Sequence, residues 1–285
     1  MLNWRGCLAP PVFIWGIYML EQKKLIEEVK NKSRQDQTID SVLMYGSFTQ
    51  NCGDEFSDVE FYVFVADKHF AALDSRAWIE NIYPVYNHFY NEHGTEVVIF
   101  KNLVRGEFHF MPKSEMPIID SFTYAGFFPD IEAMLLFDRH GDLREAVQVL
   151  ADCSVERATL ENADTIINNL LNNLLYGINV YKRGELARAF ACLYTAQHYL
   201  VQAMRLLEGT TDHWLNPLKQ LEQEISPADY EILIKCSASL HADDVLRAYE
   251  QLLKEAQHFS KALSMRFGAS AQQELYEKLS LYLKN

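Results

Sequence analysis

The stretch MYGSFTQNCGDEFSDVEFYVF, residues 44–64, decides how the first half of this chain is read. It runs as a strand ending at Gly46-Ser47, a connection of ten residues, and a second strand opened by Asp58-Val59-Glu60. Side chains alternate faces along a strand, so Asp58 and Glu60 point to one side, about 7 Å apart, with Val59 turned into the core. Two carboxylates on one face form a clamp for a hard cation. Magnesium takes one or two carboxylates and leaves its other positions to substrate phosphates and water. Gly46 lets the backbone approach a phosphate closely, and Ser47 offers an amide and a hydroxyl at the same point. By itself an Asp-x-Glu pair reads as solvated turn residues; the Gly-Ser strand end before it changes that reading.

Working outward, LVRGEFHFM (103–111) places Arg105, Glu107 and His109 on one strand face and Val104, Gly106, Phe108 and Phe110 on the other. Glu107 is therefore a third acid able to serve an open site. Its competitor is Glu96 in GTEVVIF, whose face also carries Val98 and Phe100 and is more dehydrated. A strand-edge salt bridge to Arg105 is the structural alternative for Glu107. His109 is placed either to hydrogen-bond an acceptor or to act as a satisfied structural group.

From Met19 to about Leu150 short β-branched or aromatic runs, SVLMYG, DVEFYVFV, TEVVIF and AMLLFD, alternate with helical patterns. This half reads as an α/β or α+β domain over 19–150. After about Val155 apolar residues recur at helical spacing, among them Ile166, Ile167, Leu170, Leu171, Leu174 and Leu175, then Phe190, Leu193, Tyr194 and Ala196. Gly184, Gly209, Ser226-Pro227 and Gly268 punctuate four or five helices, so residues 151–285 read as a helical bundle. Lys182 and Arg183, at the end of one run, supply cations suited to a triphosphate or merely a solvated helix end. Tyr176, Tyr181, Tyr194 and Tyr199 fit an acceptor cleft, but aromatics at helical spacing are more often core residues.

The formal charge of -13, from 26 basic and 39 acidic residues, disfavours nucleic acid and anionic membranes as partners and suits cationic ligands. The five scattered cysteines form no CxxC pair, which points to a reducing cytoplasm. Residues 1–18 carry an apolar run broken by Pro10 and Pro11, too short to span a bilayer and without a cleavage site. They are expected to stand outside the fold, with Met19 opening the amphipathic helix LEQKKLIEEVKNKS.

The Gly-Ser pair, the ten-residue spacing and the Asp-apolar-acid-apolar run resemble the signature of the DNA polymerase β-like nucleotidyltransferase superfamily. More narrowly, MYGSFT, SDVEFYVF, EHGTEVVIF, LVRGEFHF and INVYKRGE resemble segments of lincosamide nucleotidyltransferases of the larger B/F type, over most of residues 19–285. That resemblance implies an N-terminal nucleotidyltransferase domain with a mixed sheet, a C-terminal helical bundle, and a homodimer with its acceptor site near the subunit interface. It also implies transfer of a nucleoside monophosphate, AMP from ATP or the equivalent from another NTP, to a lincosamide hydroxyl with Mg2+. Two metal-binding acids and a catalytic carboxylate map onto Asp58, Glu60 and Glu107; Gly46, Ser47 and Lys182 are candidates for the nucleotide, and Arg105 and His109 for the acceptor. An aminoglycoside nucleotidyltransferase shares the motif and differs in acceptor. A non-catalytic, antitoxin-like module of the same superfamily is the alternative outside enzymes.

Overall fold

The computed structural model describes residues 19–151 and 153–285; the expectation for residues 1–18 falls outside them. The described chain forms two compact units. The first takes in the chain up to Tyr124 together with Phe128–Cys153, and the second Ala125–Phe127 with Ser154–Asn285.

The first unit opens with helix α1 (Glu21–Gln35), whose apolar stripe Leu25, Ile26 and Val29 is buried. Six strands follow: β1 (Ile39–Tyr45), β2 (Val59–Val65), β3 (Val85–Tyr90), β4 (Glu96–Phe100), β5 (Arg105–Pro112) and β6 (Leu135–Asp138). They lie side by side in the order β3-β4-β5-β2-β1-β6. Only β2 and β5 run parallel, so the sheet is mixed, as the resemblance implied. The crossover between these two carries helices α2 (Asp67–Phe70) and α3 (Ser75–Glu80) as well as the β3-β4 hairpin.

Strand β2 sits at the centre of the sheet, which explains its nearly unbroken apolar run. Phe61 and Val63 pack into one core with α1 and with Trp78 and Ile79 of α3. Phe64 joins Leu43 in a second core on the opposite face. That second core is closed by the 3-10 stretch Lys113–Ala125 and by three short helices, α4 (Ile131–Met134), α5 (Asp142–Ala146) and α6 (Gln148–Ala151). Burying a large apolar side chain contributes roughly 1.5–3 kcal/mol. The cover spans only part of that face, however, and leaves the end bearing Tyr45 and Glu60 half-open. The strand the sequence pattern did not reveal is β3. Its Tyr86, Phe89 and Tyr90 are exposed at the sheet edge, so it lacks the alternation that marks a half-buried strand.

The second unit is helical: α7 (Leu160–Lys182), α8 (Leu186–Glu208), the single turn α9 (Leu221–Glu224), α10 (Pro227–Lys235), α11 (Ala242–Phe267) and α12 (Gln273–Lys284). Gly209 and Gly268 close α8 and α11 in the left-handed conformation, and Ser226 caps α10 by accepting from the Asp229 amide at 3.1 Å. Ile166, Ile167, Leu170, Leu171, Leu174, Leu193 and Ala196 form its core. Leu175, Phe190 and Tyr194 stay exposed, because a residue one position past the stripe is turned about 100° around the helix. Of the four tyrosines, Tyr181 and Tyr199 pack on the core, while Tyr176 and Tyr194 are exposed. Among the described residues no helix is long and apolar enough to cross a membrane.

Candidate active site

Three strands bring the predicted acids together. Tyr45 on β1 is paired with Glu60 on β2, and Glu60 in turn with Glu107 on β5, so the three side chains form one row across the sheet. Adjacent strands are about 4.8 Å apart, which sets the spacing within the row. One step toward the strand starts on β2 and β5 lie Asp58 and Arg105; one step the other way lie Tyr62 and His109, themselves paired. Gly46, Asp58, Glu60, Arg105, Glu107 and His109 thus share one end of one face.

Gly46 is required by two constraints. Its φ of +84° suits glycine, and a Cβ there would sit 1.6 Å from Oε2 of Glu60. The glycine makes room for the Glu60 carboxylate itself, a role additional to the phosphate approach read from the sequence. Ser47 opens a short 3-10 turn, and its hydroxyl is buried without a hydrogen-bond partner in the described structure.

Arg105 bridges the two outer acids. Its Nη1 donates to Oδ2 of Asp58 at 2.7 Å, and its Nη2 donates to Oε1 of Glu107. Burial works against the guanidinium charge, but the paired Glu107 and Asp58 outweigh it and raise its pKa. The salt bridge weighed as the alternative for Glu107 is therefore formed, and it includes Asp58 as well. On the other side Tyr45 donates to Oε2 of Glu107 at 3.4 Å, while its oxygen lies 3.0 Å from Nε2 of His109. Burial first, then the charges of Glu60 and Glu107, push the Tyr45 phenol far above its ordinary value, so it remains a donor. Burial holds His109 below the usual imidazole range, with the Glu107 charge opposing it. The ring stacks on Tyr62 at 4.4 Å between centroids and 11° between planes.

Glu96 is placed differently. It pairs with Phe108, so it faces away from Glu107, and it is 4% exposed against 19% for the Glu107 side chain. Ser75 donates to its Oε1 at 2.7 Å, and Nε2 of His88 lies 2.5 Å from the same atom. Lys182 belongs to the helical unit, where its Nζ sits 4.9 Å over the ring of Tyr282. Tyr45 is the site residue that motif reading missed. The available signal was its position before Gly46 on a strand whose alternation sets it with Leu43 on one face.

The donor set fits magnesium in chemistry, since Asp58 and Glu60 offer oxygen only, from one strand face, beside a buried hydroxyl that lacks a partner. Among the described residues no three His, Cys, Asp or Glu side chains are gathered as a ready-made metal cage.

No curated protein matches the chain. Solved structures that resemble it include an aminoglycoside 6-adenyltransferase from Bacillus subtilis, 15% identical, covering 93% of this chain and 96% of that one at a TM-score of 0.43, and a nucleotidyltransferase-like protein from Exiguobacterium sibiricum 255-15, 14% identical, covering 86% and 77% at 0.38. Residues 159–282, nearly the whole of the helical unit, match a family profile. That profile is the lincosamide nucleotidyltransferase-like C-terminal domain, and the sequence motifs of the first half resemble lincosamide nucleotidyltransferases as well.

Proposed function

We propose that the chain transfers AMP from ATP to a hydroxyl of a lincosamide such as lincomycin or clindamycin, releasing pyrophosphate and inactivating the antibiotic. The observation that carries this reading is the row Tyr45, Glu60 and Glu107 beside Asp58 and over the clearing left by Gly46. The match of the helical unit to a lincosamide nucleotidyltransferase-like domain favours a lincosamide as acceptor.

Asp58 and Glu60 would hold magnesium, which would supply charge neutralisation at the phosphates for in-line displacement at the α-phosphorus. The remaining steps belong to the chain. Glu107 takes the proton of the attacking hydroxyl. Its carboxylate is oriented from both sides, by Arg105 at Oε1 and by Tyr45 at Oε2. The Tyr45 contact is the longer and weaker one, so Oε2 is the oxygen that receives the acceptor. Neutral His109 hydrogen-bonds the acceptor from the same strand face. The Ser47 hydroxyl gains from a phosphate oxygen the partner that it lacks. Lys182 is the phosphate-binding candidate of the helical unit. The enzyme acts in the cytoplasm as a homodimer, without nucleic acid or membrane.

The test is to incubate the purified protein with magnesium, ATP and a panel of lincosamides and aminoglycosides, then measure acceptor mass. One added AMP on lincosamides, abolished by a chelator, is the expected result. Product on aminoglycosides alone would replace the acceptor, and no product with any compound would point to a binding module.

A further inference from the structure

Strand β4 pairs with β5 only as far as Phe108, whereas β2 accompanies β5 on its other side to Pro112. The edge of β5 beyond His109 is therefore left without a strand partner, and a cavity of about 370 Å³ opens against it. That volume lies in the range of small-molecule sites, roughly 300–1,000 Å³. Five aromatic rings line it, Tyr62, Phe70, Tyr90, Phe108 and Phe110, and the carboxylate of Glu96 reaches it from the buried side. Both hydrogen bonds to Glu96 go to Oε1, so Ser75 and His88 fix the carboxylate without engaging Oε2.

We infer that this cavity is a site for an organic cation, a protonated or quaternary amine on an apolar body, with Glu96 as its counter-ion. Ring faces attract a cation within about 6 Å, and a fixed carboxylate with little water around it strengthens that attraction. A neutral apolar ligand would dehydrate Oε2 of Glu96 and give it no partner, which is costly. The cavity also touches His109, two residues along the strand from Glu107 and thus about 7 Å from it. Glu96 and Glu107 lie on opposite faces, so only a ligand that follows the open edge of β5 from Glu96 to His109 brings a hydroxyl to the face of Glu107. This assignment of the acceptor's amine rests on the proposed transferase reading; binding of the cation does not.

The experiment compares choline with 3,3-dimethylbutan-1-ol, its neutral isostere, on nucleotide-free protein carrying labelled methionine and isoleucine methyls. Met111 and Ile118 line the cavity and report occupancy. Choline should shift both signals and bind at least tenfold more tightly than the neutral alcohol. Glu96→Gln should abolish that preference, and Tyr90→Ala should weaken choline about 2- to 30-fold. Tyr90 is 62% exposed, so its variant folds even if the Glu96 variant does not. Equal binding of the two probes would overturn the inference, as would an unchanged preference in folded Glu96→Gln, or a loss of ATP affinity in place of amine affinity in either variant. The transfer assay is scored separately. Charge-selective binding without any modified acceptor would sink the transferase reading alone, whereas an amine acceptor modified with unaltered KM in Glu96→Gln would sink this one alone.

Discussion

Replacing Glu107 by Gln preserves size and the oxygen that Arg105 holds, but removes the capacity to take a proton. General-base catalysis contributes about 10²–10⁴-fold, so kcat should fall by that factor, about 2.7–5.5 kcal/mol in the barrier. The structure bounds the competing explanation. Arg105 and Glu107 are 43% and 19% exposed, and Arg105 keeps its bond to Asp58, so losing this pair should cost at most ~1 kcal/mol. That corresponds to roughly 2–4 °C in Tm for a domain of this size. Steady-state kinetics with magnesium, ATP and a lincosamide, beside calorimetric binding of each substrate, separates the two effects. The expected pattern is a collapsed kcat with near-native affinities and a nearly native Tm. Glu80→Gln, which breaks the exposed Arg76–Glu80 pair, is the control for loss of an ion pair alone. A near-native kcat in Glu107→Gln would refute the reasoning, and a simultaneous collapse of kcat in Glu96→Gln would move the base to β4.

Asp58→Asn and Glu60→Gln should each abolish magnesium-dependent turnover while the circular dichroism spectrum stays native; full activity of either at saturating ATP would rule out a metal clamp. Gly46→Ala should reproduce the Glu60→Gln phenotype, because its Cβ would lie 1.6 Å from the Glu60 carboxylate at a φ of +84°, and a Tm equal to wild type with full activity would contradict that geometry. In the helical unit burial and the neighbouring Glu208 raise Asp229 to about 6. A raised carboxyl pKa means that the folded state binds the extra proton. Its stabilisation is complete below the unfolded value near 3.9 and is lost as pH rises through about 6. Asp229→Asn should therefore stabilise the fold at pH 7 and not at pH 4, by less than roughly 1 kcal/mol after screening, and an equal rise in Tm at both pH values would exclude the linkage.

How much was legible in advance follows from the range of each interaction. Alternation along 58–60 and 103–111 sets which side chains share a face, because the strand period is a local property, and so it put Asp58 with Glu60 and Arg105 with Glu107 and His109. The switch to helical spacing after Val155 likewise announced the second unit, since burying a helix stripe needs that repeat within one segment. Register is not local. That Glu60 stands between Tyr45 and Glu107 depends on two strand pairings separated by many residues, one antiparallel and one parallel. The partners of Arg105 and the clearance over Gly46 follow from those two pairings, and the burial of Glu96 beside His88 and Ser75 from those of β4 with β3 and β5. Sequence alone determined the chemistry available on each face, because side-chain identity and strand period are written residue by residue. Tertiary structure alone decided which faces meet and where β4 stops, because those outcomes depend on contacts between segments whose separation the period does not encode.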